Sequence, residues 1–303
     1  MKILVTGGSG FIGSHLVDKL IEKKYDVIIF DISEPKYESN SHFIKGDILS
    51  LEQIKEATHG IDIIYHLAAE ADVERMYKAP IFSTTLNTIG TLNVLESARI
   101  NKCKRVIFAS TEWVYGSCKD ETVDEESRLY PPNQDHIYTS SKIAAEMYIQ
   151  NYHDLYGVDY TIMRFGIPFG PRARPSTVTY KFLKKALSGQ PITIYGSGEQ
   201  FRQFVYVEDL AEGCVACLKS EAINQIINLE GKESISIKMI AETIKKLLDK
   251  EVKIEFIKKR EGDYKGRIVN SEKAKKLLKW EPRYNYETAM KKYIGWFKKN
   301  ERY

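Results

Sequence analysis

Cysteine is scarce, and its four residues are not spaced for cross-linking: Cys103, Cys118, Cys214 and Cys217 make no disulfide framework. Cys214-x-x-Cys217 lacks the second ligand pair that a zinc site needs. It lies in a stretch, 210–218, that reads as a helix packed on a core, so no metal is expected. No uncharged apolar run is long enough to cross a bilayer. The chain also enters a strand at once, without a basic and apolar leader, and a cytoplasmic protein is expected. Charge of one sign is missing too: 45 basic against 41 acidic residues leave +4, too balanced to imply a nucleic-acid partner. The basic pairs Lys275-Lys276, Lys291-Lys292 and Lys298-Lys299 alternate with apolar residues and read as a solvated helix face. Internal repeats and low-complexity segments are absent. What is left is a chain of 303 residues, long enough for one or two ordinary globular domains.

The first thirty residues are the most informative. Ile3-Leu4-Val5 is an apolar run suited to a strand buried in a parallel sheet. It meets Thr6-Gly7-Gly8-Ser9-Gly10-Phe11-Ile12-Gly13, after which Leu16, Val17, Leu20 and Ile21 recur with helical spacing. A second strand, Val27-Ile28-Ile29-Phe30, ends on Asp31. Glycines in such a turn let the backbone reverse tightly and approach a phosphate closely. The helix start offers free N–H groups and a positive dipole end to a pyrophosphate. Asp31 stands where a carboxylate accepts hydrogen bonds from an adenosine ribose. With Ile32 and Ser33 following it instead of Arg or Lys, NAD is favoured over NADP.

Strands and helices then alternate to about residue 165. Short strands are expected at 42–45, 61–65, 105–109 and 160–164, with long helices over about 80–100 and 137–156. That rhythm predicts an α/β fold, a Rossmann-type doubly wound parallel sheet, with ligands at the carboxyl ends of its strands. Beyond Phe165 a loop, 166–172, leads into a smaller C-terminal substrate lobe. The expected division is 1–165 for NAD and 166–303 mainly for substrate. The lobes partly interleave, with a segment near 204–230 packing on the first.

Tyr138 and Lys142, at i and i+4, share one face of the second long helix. An ammonium there, beside an oxidised nicotinamide, is expected to lower the phenol pKa toward working pH. Such a tyrosine takes the proton of a substrate hydroxyl while hydride leaves its carbon. Thr111, after the fifth strand, is placed to bond the same oxygen.

Together these motifs resemble the extended short-chain dehydrogenase/reductases, in the branch of NAD-dependent epimerases and dehydratases that act on nucleotide sugars. The likeness rests on the glycine turn, Asp31, Asp47-Ile48, His66-Leu67-Ala68-Ala69, Asn87, Ser110-Thr111, Val114-Tyr115-Gly116 and Tyr138-x-x-x-Lys142. It continues through Arg164, Gly170-Pro171-Arg172, Arg202, Asn228-Leu229 and Arg260-x-Gly262-Asp263. The resemblance implies that Gly7, Gly10, Phe11, Ile12, Gly13 and Asp31 hold the pyrophosphate and ribose, and that Asp47 and Ile48 flank the adenine. Leu67, Ala68, Ala69, Asn87, Ser110, Tyr138 and Lys142 complete the cofactor site. Thr111, Tyr138, Arg202, Asn228 and Arg260 meet the substrate, the two arginines at its diphosphate. A homodimer, joined by the two long helices as a four-helix bundle, is also implied.

Two positions depart from the family pattern. Ile167 stands where an Asn usually contacts the substrate phosphates. The dehydratase triplet Thr-Asp-Glu is here Thr111-Glu112-Trp113, so the usual base is replaced by an indole and only Glu112 could substitute for it. The chemistry needing only the visible groups is C4 epimerisation of a nucleotide sugar, and the resemblance favours a UDP-sugar, as in enzymes similar to UDP-glucose 4-epimerases. A reductase of nucleotide 4-keto-6-deoxysugars comes second, and a dehydratase or decarboxylase using Glu112 third. A catalytically silent NAD-binding sensor is the alternative outside enzymology.

Overall fold

The computed structural model describes residues 1–130, 134, 136–248, 251–258 and 266–302. Strand β1 (Lys2–Thr6) leads through the glycine turn into α1 (Phe11–Glu22) and β2 (Asp26–Asp31). There follow β3 (His42–Lys45), α2 (Leu51–Ala57), β4 (Ile63–His66), α3 (Val73–Lys78), α4 (Pro80–Ile100) and β5 (Arg105–Thr111). After the short β6 (Thr122–Val123) come α5 (Ile137–Tyr156), β7 (Asp159–Phe165), β8 (Ile167–Phe169), α6 (Val178–Leu187), β9 (Ile192–Tyr195) and β10 (Phe201–Tyr206). The remainder is α7 (Val207–Ala216), β11 (Gln225–Leu229), β12 (Ser234–Ser236), α8 (Ile237–Leu248), β13 (Ile254–Ile257), β14 (Ile268–Val269), α9 (Glu272–Leu278) and α10 (Tyr286–Asn300).

Seven strands form one sheet in the order β11-β7-β5-β4-β1-β2-β3, every neighbouring pair parallel. A parallel sheet covered on both faces needs apolar side chains on both, and all seven residues of β5 are buried. On one face α2, α4 and α5 enclose Leu4, Ile64, Val94, Phe108 and Ile149. On the other, α1 and α7 enclose Val5, Leu16, Ile107, Met163 and Leu210. From β1 the chain winds outward to β3 and then returns to β4 on the other side. The crevice at that reversal lies at the carboxyl ends of β1 and β4. Local signals set the long helices: Pro80 opens α4 at a position with no need of an N–H, and Gly157, at φ 68°, closes α5.

The second region has its own core, with Phe169, Phe204, Tyr206, Ile240, Tyr286 and Phe297 packed among α6, α8 and α10. Its three-stranded sheet runs β12-β10-β8, and β9 pairs with β13. The loop expected over 166–172 is partly strand, since Ile167–Phe169 pairs in parallel with Phe204–Tyr206. Pro168 fits there because β8 is an edge strand, where a residue lacking N–H is tolerated. The chain also returns to the large sheet, adding β11 beside β7. Among the described residues no helix is long and apolar enough to cross a membrane.

Candidate active site in the crevice

The glycine turn is fixed by conformation and by space. Gly7 sits at φ +72°, and a Cβ on it would lie 2.7 Å from the Ala68 backbone nitrogen. A Cβ on Gly13 would overlap the Gly7 carbonyl oxygen and lie 2.8 Å from the Gly8 Cα, so α1 could not rest on the turn. Gly10 is the extended N-cap of α1, and no side chain caps that end. The first-turn N–H groups of Phe11, Ile12 and Gly13 are thus left to an anion. Asp31 ties the turn to the tip of β2, its Oδ2 accepting from Ser9 N at 3.1 Å and its Oδ1 from Ser33 N at 3.0 Å.

The adjoining loops are held as tightly. Asp47 Oδ1 accepts from Leu49 N, and the Ile48 side chain is buried against Gly90. Leu67 N donates to Thr6 O, and Ala68 N to Thr6 Oγ1, while Ala69 continues the loop beside them. His66 lies between Thr6 and Thr91 with its pKa pushed down to about 3 by burial and the nearby Lys142 charge, so the ring is neutral. Asn87 is buried and pins the Glu70 backbone through both amide atoms while also donating to Ser141. An anionic dinucleotide fits this cradle of glycines, free N–H groups and one carboxylate.

Beside it, α5 presents Tyr138 and Lys142. Thr111 hydrogen-bonds the Tyr138 phenol, and its Oγ1 also accepts from Trp113 N. The Lys142 Nζ donates to Ala109 O at 2.8 Å and lies 4.5 Å above the Phe108 ring and 5.9 Å from the Tyr138 ring centre. The expected lowering of the phenol pKa is not what this state shows. Burial pushes Tyr138 up to about 12, against the opposing pull of Arg174 and the Thr111 hydrogen bond. Burial likewise brings Lys142 down to about 7, with Glu146 opposing. The ammonium rests on a carbonyl and the phenol is a proton holder.

Trp113, in ring contact with Tyr138, also lines a cavity of about 990 Å³ together with Ile167, Arg202 and Lys181, Lys184 and Lys185 of α6. Its cationic lining suits a phosphorylated ligand. Trp113 stands edge-on to Tyr138, ring centres 5.9 Å apart, and 5.2 Å from His136, whose Nδ1 meets the Tyr77 hydroxyl. Glu112 is buried, its Oε1 has no partner among the described residues, and burial pushes its pKa up to about 8 despite the Arg202 charge. The buried Glu230 is raised well above the usual range by burial and by Glu112 and Glu125.

The residues singled out in the sequence therefore separate. The turn, Asp31, Asp47–Ile48, Leu67–Ala69, Thr111, Tyr138 and Lys142 lie at the carboxyl ends of the parallel strands, and Arg202 lines the cavity that Trp113 borders. Asn228 does not reach it: it is fully buried, its Oδ1 taken by the Tyr115 hydroxyl and its Nδ2 donating to Asn270 O. Ser110 turns away from the crevice and donates to Glu146. Arg260 lies outside the described residues. Sequence reasoning missed Glu146 and Glu230. The signals were a carboxylate four residues past Lys142, and one directly after an apolar strand.

A model of the NAD dependent epimerase/dehydratase family matches residues 3–229. A UDP-glucuronate 4-epimerase of Thermodesulfobacterium geofontis is 33% identical, over 98% of this chain and 96% of its own. The structure of UDP-glucose 4-epimerase from Thermotoga maritima with UDP-glucose superposes with TM-score 0.90 at 31% identity, covering 100% of both chains. That of Bacillus cereus UDP-glucuronic acid 4-epimerase with UDP-glucuronic acid and NAD gives 0.90 at 31%, covering 99% of each.

Proposed function

The chain belongs to the NAD-dependent epimerase/dehydratase family, and on that premise we propose that it is a UDP-sugar 4-epimerase working through a 4-keto sugar. The observation that carries the reading is the meeting of Thr111, Tyr138 and Lys142 at the carboxyl end of β5, with Trp113 linking Tyr138 to the cationic cavity. Residues 1–165, joined by 204–230, form the NAD-binding part in this proposal, and 166–303 mainly the sugar-nucleotide lobe. Gly7, Gly10, Gly13 and the α1 N–H groups hold the pyrophosphate, Asp31 the adenosine ribose, and Lys142 the nicotinamide ribose. NAD supplies the hydride acceptor and donor at C4 when bound.

The Lys142 ammonium, joined by the positive charge of NAD when bound, would favour phenolate on Tyr138, which then takes the 4-hydroxyl proton, with Thr111 orienting that oxygen, and returns it after the keto sugar presents its other face. Arg202 grips the diphosphate. Trp113 closes the sugar end and carries no acid–base group. Glu112, protonated at pH 7 with a pKa of about 8, is a poor base for carbon-bound hydrogen, which weighs against dehydration.

A homodimer completes the proposal. Ile81, Phe82, Met147 and Leu155 are exposed on α4 and α5, with Ile81 83% and Leu155 70% exposed, an apolar surface suited to a four-helix bundle. A cytoplasmic location fits this chemistry. Incubation with UDP-glucose, UDP-glucuronate and dTDP-glucose, with products identified by NMR, tests the reading: a C4 epimer formed without added reductant is expected from a UDP-sugar. A 4-keto-6-deoxy product from any of them would replace it.

A further inference from the structure

Three successive turns on one face of α5 are stitched to three consecutive residues at the end of β5. Tyr138 meets Thr111, Lys142 Nζ donates to Ala109 O at 2.8 Å, and Ser110 Oγ donates to Glu146 Oε1. Glu146 is itself clamped from the neighbouring strand: Arg164 Nη2 donates to Oε2 at 2.7 Å and Arg164 Nε to Oε1 at 3.1 Å, with both side chains 3% exposed. Arg164 pairs in register with Ser110 on one side and Asn228 on the other, and its Nη1 donates to the Tyr115 hydroxyl. The carboxylate thus has one position, set by β5 and β7 together.

The groups around Lys142 are few. Its own helix contributes Tyr138 and Glu146, β4 the neutral His66, and β5 the Phe108 ring and the Ala109 carbonyl. Arg164 of β7 stands behind Glu146. Glu146 is the carboxylate that acts on the Lys142 charge.

We propose that Glu146 is a positioning residue for Lys142: fixed by Ser110 and Arg164, its carboxylate keeps the ammonium charged and seated on the Ala109 carbonyl. A neutral lysine could neither favour phenolate on Tyr138 nor hold a ribose hydroxyl as a cation. The Glu146 carboxylate therefore sets the alkaline edge of activity from one helical turn away. This rests on the tyrosine–lysine reading of the site, but the decisive observable does not require turnover.

The test is an NMR titration of protein carrying [ε-13C]lysine, with the Lys142 signal identified by its loss in Lys142→Arg. In Glu146→Gln, which keeps shape and an acceptor for Ser110, the Lys142 midpoint should fall by about one pH unit. The alkaline limb of kcat should move down with it, a loss of about tenfold at pH 8 with KM nearly unchanged. Glu146→Asp should restore most of the shift. If the unpaired Arg164 unfolds Glu146→Gln, the double variant Glu146→Gln/Arg164→Met replaces the pair by neutral groups and should still lower the midpoint. An unchanged Lys142 midpoint in the folded variant overturns the proposal. A shifted midpoint in a protein that epimerises nothing supports it and refutes the assigned reaction instead.

Discussion

At the ends of β1 and β2 the chain holds its crevice with backbone: glycines, helix N–H groups and one carboxylate bonded to Ser9 and Ser33. Across the same crevice the substrate side is made of long side chains from separate segments, among them Trp113, Arg202, Glu112 and Glu230. Buried carboxylate oxygens there have no hydrogen-bond partner among the described residues. The glycine side is fixed by backbone conformation and by close backbone contacts. The substrate side carries unspent polar groups at a burial cost, which is where relatives with one fold can differ in chemistry.

The comparison can be broken most strongly where the two sides meet. Tyr138→Phe should cut turnover by about 10³-fold while NAD binding, followed by protein fluorescence, is retained. Loss of both together would mean that the tyrosine belongs to the cofactor side alone. On the rigid side, Gly13→Ala has to displace the Gly7 carbonyl and should cost about 1–3 kcal/mol in denaturant unfolding, with NAD affinity falling as well. A fully stable Gly13→Ala protein with normal NAD affinity would show the turn to be more yielding than its contacts require.

The smallest effect belongs to the substrate side and has the opposite sign. Glu112 has a folded pKa raised to about 8, above its unfolded value. Its contribution is therefore whole below about pH 4.5 and is lost as pH rises toward 8. Glu112→Gln should raise Tm by about 2–4 °C at pH 8, with the gain vanishing near pH 4.5. A Tm difference independent of pH would place the Glu112 carboxyl in contact with water.

The same contrast explains what the sequence could and could not disclose. The glycine turn, Asp31 and the Tyr138–Lys142 pair are local patterns, and the alternation of strands and helices placed them on the right elements. Helices 80–100 and 137–156 have the bounds their periodicity predicts. Ile167–Phe169 was misread because edge pairing with residues some forty positions later, not local propensity, makes it a strand. Asn228 looked like a ligand residue, yet its place beside Arg164 in the sheet register turns it toward Tyr115. Glu146 was overlooked for the same reason: its partners Ser110 and Arg164 come from two strands distant from it in the chain.

The central claim is that one hydrogen leaves C4 of the sugar and returns to the same carbon. UDP-glucose carrying deuterium at C4, converted by the protein in ordinary water and followed by NMR and mass spectrometry, tests it directly. The account predicts a C4 epimer that keeps its deuterium, with no added reductant, and no solvent deuterium on carbon when the solvent is switched to heavy water. Solvent deuterium at C5, or deuterium moved from C4 to C6 with loss of the C6 oxygen, would contradict it.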